Sequence, residues 1–439
     1  MNDTLSRRRF LQLSATTVGG ALLAACVAPA QQPAASGGAS APATEPINIR
    51  LAEGSWVGPE GIDFWTKDMI GAFEAENPNV KVTFESAESP DYEDKLFTQA
   101  VAGDAPDVFF IWWSYGLMEQ GQLLQLDDHF DPDYMSKFYA GNIAGHTFEG
   151  KLYGIPKYVS TVAMAYNKDI LDAAGVPYPD ATWNWDNYLE AFHATTKDDG
   201  SQWGTYVAHE YLPHWVWMNG GQWMNEDLFG TKCLLNEDKA MEALKFQHDL
   251  IYGDKPVSPQ TGTMGDFGWY DVFSSGKVAF MESHSWTVTN YIRQNNFKWD
   301  FVDLPVARDG GKAGLTFTNG YAIYNGTKQA DAAVNLVKFL TAPEREKAMC
   351  LSILGLQPAR RDAIEVWDKE SEGAKAGYDV AAFTRIMDKA RLDPAFKDGK
   401  QILTEIFKPI WDQIWVTNEM GLEEGVQTIV DRIDEHFKA

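Results

Sequence analysis

From residue 47 the chain falls into a strand, helix, strand rhythm that leaves few ways to fold it. Ile47, Ile49 and Leu51 alternate with polar neighbours, and Val80, Val82 and Phe84 repeat the two-residue period of a half-covered strand. Between them Ile62, Trp65, Met69 and Phe73 recur at helical spacing until Asn77-Pro78 ends the run. Strands joined through a helix run parallel, because a parallel pair needs a long crossover. Phe97, Val101 and the turn Gly103-Asp104-Ala105-Pro106 then lead into Val108-Phe109-Phe110-Ile111, an apolar run of the kind a strand covered on both faces shows. The fold class expected is α/β, with mainly parallel sheets flanked by helices. Later segments keep the rhythm. Met241, Leu244, His248 and Ile251 form one helix face, with Asn236 as its expected N-cap. Val334, Val337 and Leu340 form another, and Ile402, Ile406, Ile410 and Ile414 mark a long face that Pro409 is expected to kink. At 439 residues the chain exceeds what one core usually supports, so two lobes are expected.

The first 46 residues have a different character. Arg7-Arg8-Arg9-Phe10-Leu11 precedes a mildly apolar stretch, which reads as an export signal over residues 1–25. The paired arginines resemble a twin-arginine signal, and Leu23-Ala24-Ala25-Cys26 resembles a bacterial lipobox, in which Cys26 would be lipidated. Residues 26–46 are nearly all Ala, Pro, Gln, Ser, Gly and Thr, a flexible stalk that cannot bury a core. Removal of the signal leaves two thiols, Cys233 and Cys350, and lowers the formal net charge from −25 to −27, because the signal carries three Arg and one Asp.

That charge excludes function classes. With 62 Asp and Glu against 37 Lys and Arg, the surface repels phosphate backbones, so nucleic acid is not an expected partner. Catalytic signatures are missing as well. Gly310-Gly311-Lys312 is too short for a phosphate loop, no G-x-S-x-G elbow occurs, and neither Cys lies in a nucleophile signature. His209 and His214 are five apart with Pro213 between them, whereas a zinc helix presents two His four apart. No cofactor or metal is expected. Acidic pairs such as Asp127-Asp128 are numerous and read as solvated surface, although a glycosidase needs two carboxylates at a separation that sequence does not display.

The chain holds 16 Trp, 17 Tyr and 24 Phe, and many Trp fall where strands end: Trp56, Trp112-Trp113, Trp215, Trp217 and Trp286. Open α/β sheets bind ligands at the carboxyl ends of their strands. Aromatic faces there suit the C–H patches of a sugar, or a quaternary ammonium cation.

Several strings carry a resemblance to a known family: Phe73-Glu-Ala-Glu-Asn-Pro-Asn-Val-Lys-Val, Ala102-Gly-Asp-Ala-Pro-Asp-Val-Phe, Gly150-Lys-Leu-Tyr-Gly-Ile-Pro and Ala165-Tyr-Asn-Lys-Asp. Phe273-Ser-Ser-Gly-Lys-Val-Ala-Phe-Met, Ser285-Trp286, Asn319-Gly320-Tyr-Ala-Ile and Leu356-Gln-Pro-Ala-Arg follow in order. Together they resemble the extracellular solute-binding proteins of bacterial sugar ABC importers, the maltose-binding-like family. The resemblance implies a two-lobed periplasmic-binding-protein fold of type II. Lobe one would be residues 47–158 and 320–365, lobe two residues 163–314 and 370–439, with hinges at 158–163, 315–319 and 366–370. Cys233 would then lie in lobe two and Cys350 in lobe one, both free and buried. The implied cleft residues are Glu53, Ser55, Trp56, Trp112, Trp113, Tyr158, Trp215, Trp217, Glu282, Ser283, Trp286, Asn319 and Gly320. Around 205–235 no family string guides the choice between Trp215 and Trp217.

The implied activity is capture of a small solute, a mono- or oligosaccharide, and its delivery to the permease subunits of an ABC transporter, without covalent chemistry. A monomer is expected, exported and held by its lipid at the outer face of the cytoplasmic membrane. Two other classes stay open at this point. One is a receptor for a polyamine, quaternary amine or glycerophosphodiester, for which Glu53 and Glu282 would supply the carboxylates a polyamine needs. The other is an exported carbohydrate-active enzyme.

Overall fold

Ten strands share one hydrogen-bonded sheet in the computed structural model, which describes residues 45–54, 58–87, 92–112, 115–264 and 269–438. The export signal, Cys26, nearly all of the stalk, Ser55, Trp56 and Trp113 lie outside those residues. The strands are β1 (Ile47–Glu53), β2 (Val80–Ser86), β3 (Val108–Ile111), β4 (Gly154–Asn167), β5 (Trp203–Tyr206), β6 (Val278–His284), β7 (Trp299–Val302), β8 (Gly314–Ile323), β9 (Gln357–Pro358) and β10 (Ala390–Leu392). Their order is β2-β1-β3-β8-β4-β6-β5, with β7 and β9 on β4 and β10 on β8. The opening rhythm gives the parallel pair it predicts, Ile47 standing opposite Val80. The intervening helical run passes through a π-helical stretch, Phe64–Ile70, and buries Trp65, Met69 and Phe73. Ile62, expected on a helical face with Trp65, is instead exposed at 37%, and Val101 is exposed at 61%.

β4 organises the molecule. All fourteen of its residues are buried. Its first half pairs antiparallel with β8, and its second half with β6 and β7. The polar residues this buries find partners, as buried polar groups must. The Thr161 hydroxyl lies 3.0 Å from Gln357 Oε1 and 2.8 Å from the Phe383 carbonyl, and Asn167 caps the next helix by accepting from the Ile170 amide.

Separate cores lie along this strand. One, around β1 to β3, holds Trp65, Phe73, Phe110 and Tyr321. A second holds Val162, Met164 and Tyr166 of β4 with Trp185, Trp215, Phe280 and Trp415. Ala163 and Ala165 face the opposite way, into a third with Phe273, Tyr291 and Trp367, as the two-residue period of a strand dictates. The second and third clusters cover the two faces of one sheet region, so the molecule has two lobes with β4 and β8 running through both. β9 pairs with β4 at Tyr158 and Val159, while Val366 and Trp367, where the third hinge is expected to begin, already pack in the third cluster. Cys350 reaches that cluster too, although its neighbour Met349 packs in the first, so the helix Pro343–Leu351 touches both. Cys350 and Cys233 are buried and unbridged.

Two local expectations change. The helix Asp238–Tyr252 starts after Glu237 with no side-chain cap, and Asn236 instead bonds Gln427 at 3.1 Å. Pro409 occupies the first turn of Lys408–Trp415, where its missing N–H is harmless, and a π-helical stretch, Ile402–Phe407, joins that helix to the preceding turn. Among the described residues no helix is long and apolar enough to cross a membrane.

Candidate functional site

Where β8 passes β4 its register slips: Asn319 faces Tyr158, but Gly320 faces Pro156. The skipped residue is Lys157, 1% exposed. Its ammonium is paired with the buried Glu53 carboxylate at the end of β1. It also lies 5.1–5.5 Å from the ring centroids of Trp65, Phe110, Tyr158 and Tyr321. Burial pushes the Lys157 amine below its ordinary value, against the pull of Glu53. Glu53 Oε1 also accepts from the Gly54 amide at 2.8 Å. The chain's own lysine therefore neutralises Glu53 inside an aromatic cage.

Beside this pair stand Tyr158, Asn319 and Trp112. The Tyr158 hydroxyl interacts with Asn319 and Trp112, and burial raises its phenol well above the usual range. Trp112 is half-buried and meets Phe110 edge-on at 5.1 Å. Glu53, Trp112, Tyr158, Asn319 and Gly320 thus come together around the first half of β4.

On the second lobe the expected residues separate. Trp286 is half-buried and stacked on His284, centroids 5.7 Å apart. Ser283 points to the other face of β6, its hydroxyl 2.9 Å from that of Tyr291. Glu282 Oε1 lies 3.1 Å from His214 Nε2. Trp215 and Trp217 sit on the helix Pro213–Met218, all six residues of which are buried. Trp215 packs on Trp185 at 5.3 Å, and Arg391 covers Trp217 at 4.3 Å. Both indoles are in the second core.

Further aromatics, which the sequence did not single out, gather with Trp286 at His284. Tyr211 and Phe317 meet at 5.3 Å, and each contacts His284. Burial holds the His284 imidazole down at about 3, so it is neutral, and its Nδ1 lies 3.2 Å from the Ser160 hydroxyl. Phe317 was legible as part of the return strand, whereas Tyr211 lies in the stretch without family strings.

Between the lobes is a small cavity of about 40 Å³, lined by Tyr115, Gly145, Thr316, Phe317, Thr318 and residues 392–395. It has room for water but not for a sugar ring. Phe229 bears on Tyr115 at 4.5 Å and on Phe148 at 5.1 Å, and Lys400 pairs with Asp94 at 2.6 Å. These contacts hold the two lobes against each other. Asp393 lines the cavity, and among the described residues no hydrogen bond or ion pair is found at its carboxyl. Burial pushes that carboxyl up to about 7. No group of three or more His, Cys, Asp or Glu able to hold a metal occurs among the described residues. Aromatic faces, hydroxyls and amides between two lobes form an arrangement suited to holding a ligand.

Known proteins are similar to this chain in sequence and fold. Residues 58–347 match the family described as bacterial extracellular solute-binding protein. A putative binding protein of Brucella abortus (strain 2308) is 26% identical over 346 residues, covering 75% of this chain and 80% of its own length. An arabinooligosaccharide-binding protein of Halalkalibacterium halodurans is 29% identical over 257 residues, 56% of this chain and 55% of that one. Among solved structures, an ABC substrate-binding protein from Listeria monocytogenes in complex with cycloalternan superposes with a TM-score of 0.77 at 24% identity, over 90% of this chain and 99% of that one. With the family match spanning well over half of its length, the chain belongs to the bacterial extracellular solute-binding proteins, in their two-lobed fold.

Proposed function

We propose that this chain is the receptor of an ABC importer and takes a neutral carbohydrate between its lobes. The observation that carries this reading is the state of the two carboxylates a polyamine would need. Glu53 is neutralised by Lys157, and Glu282 lies against His214. What remains around the closed cleft is Trp112, Tyr158, Asn319, Tyr211, Phe317 and Trp286, ring faces and neutral hydrogen-bonding groups that suit a sugar, with Asp393 as the one carboxyl among the residues that line the cavity. Relatives that bind arabinooligosaccharides and a fold neighbour holding cycloalternan support the same class.

Lobe one comprises residues 47–158 and 320–365, and lobe two residues 163–314 and 370–439 in this assignment. Closure around the solute is a hinge motion of the crossing segments. The protein is exported and, through Cys26, lipid-anchored; it acts as a monomer and performs no covalent chemistry. Mass spectrometry of the small molecules retained by protein purified from its native host tests the reading. A neutral oligosaccharide or monosaccharide is expected, and a polyamine or quaternary amine would overturn it. Release of reducing ends from a polysaccharide would replace the receptor reading with an enzyme. A Cys26→Ser variant is expected to leave the membrane fraction.

A further inference from the structure

Asp393 has a placement that structural roles do not explain. It follows β10, whose Leu392 pairs with Thr316 of β8, and it precedes Ala395, which pairs with Leu228 beside Phe229. Two sets of backbone pairings thus hold it at the junction between the crossing strand and the second lobe. It lines the interlobe cavity opposite Tyr115 of the first lobe. Asp393 is partly exposed, and a carboxyl crowded into a cleft normally has a cation or several N–H donors beside it. Asp393 has neither among the described residues. An acid that lines a cleft with no partner among the described residues is a candidate ligand group.

We infer that Asp393 is the carboxylate that grips the solute, accepting hydrogen bonds from neighbouring hydroxyls of a neutral sugar that displaces water from the enlarged cavity, with Tyr115 beside it. This rests on the carbohydrate reading above and names a residue that neither the sequence motifs nor the resemblance supplied.

The surroundings make the grip pH-dependent. The titratable groups facing Asp393 are Tyr115 from lobe one and Tyr211 from lobe two, both phenols raised by burial and, to a lesser degree, by Asp393 itself. His146, behind Thr318 at 3.2 Å, is held neutral by burial. Arg391, on the same segment, is committed to Asp227 and Trp217. No cation therefore offsets the cost of ionising Asp393, and its carboxyl is pushed up to about 7 before solute arrives. Hydroxyl donors favour the ionised form, so solute binding releases a proton near neutrality and tightens as pH rises.

The test is calorimetric titration of the full folded protein and of Asp393→Asn with arabino- and malto-oligosaccharides at pH 6 and pH 8, with thermal melts alongside. Wild type is expected to bind about tenfold more tightly at pH 8 than at pH 6, following its ionised fraction. Asp393→Asn is expected to bind at least about tenfold more weakly at pH 8, with a flat pH profile and an undiminished melting temperature. A merely structural aspartate would lower the melting temperature and leave the pH dependence of binding in place, which would overturn the inference. Equal binding by both proteins would also overturn it while leaving the carbohydrate reading intact. Binding of no sugar by wild type would overturn both. If the Asn variant melts early, Asp393→Glu serves, and retention of the pH profile with altered affinity supports the role.

Discussion

Lys157 shows what a single residue does in this molecule. A lysine in the middle of a fully buried strand should be intolerable, yet it is held by Glu53 and four rings. Removing one member of such a pair leaves an uncompensated charge, whereas removing both is often nearly neutral. Lys157→Met is therefore expected to cost about 3–5 kcal/mol, and Glu53→Gln with Lys157→Met to recover most of it, as urea unfolding would show. Glu53 was legible as a site residue from resemblance, but its occupation was not, because its partner lies 104 positions away. Two histidines give a second prediction. Burial holds His146 and His284 at about 3, below the ordinary 6.5. Unfolding lets both take up protons, so their contribution to stability is complete above 6.5 and is lost as pH falls towards 3. The slope in that window approaches about 2.7 kcal/mol per pH unit for the two together, and His146→Phe should roughly halve it. Melts across the window that show no such steepening would contradict the assignment.

Among elements, those with a clear period were readable and those without one were not. β1, β2 and the helix faces around Trp65 and Leu244 emerged from spacing alone. The helix Pro213–Met218 did not, because burial on every side leaves no periodic signal. Trp215 and Trp217 consequently looked like residues of an irregular stretch near a cleft. The difference is measurable: Trp215→Ala is expected to cost about 3–5 kcal/mol of stability, as for a buried aromatic. Trp286→Ala, half-buried on His284, should cost much less stability and act instead on solute affinity. The register slip between β4 and β8 depends on Gly320 in a similar way. A Cβ there would meet the His146 ring at 2.6 Å and the Ile155 carbonyl oxygen at 2.7 Å. Gly320→Ala is expected to destabilise by about 1–3 kcal/mol through overpacking, read from the same unfolding curves.

At the scale of the whole molecule, the alternation of strands and helices announced α/β lobes, but the threading of the chain between them came from resemblance. No linker marks the division, since β4 and β8 are continuous strands that belong to both lobes. Closure was not legible at all, because it is made by residues far apart in sequence. Phe229 adopts a left-handed backbone, φ 59°, unusual outside glycine, and places its ring against Tyr115 and Phe148 of the other lobe. Phe229→Ala should shift the solute-free protein towards open forms, seen as a larger radius of gyration in solution scattering, with an unchanged radius counting against the clasp. Whether the closed cleft belongs to a neutral sugar is decided by calorimetric titration of the purified protein with a panel of mono- and oligosaccharides alongside spermidine and choline. A saturable one-to-one heat from at least one sugar and none from the amines is the expected result; heat from an amine and silence from every sugar would contradict it.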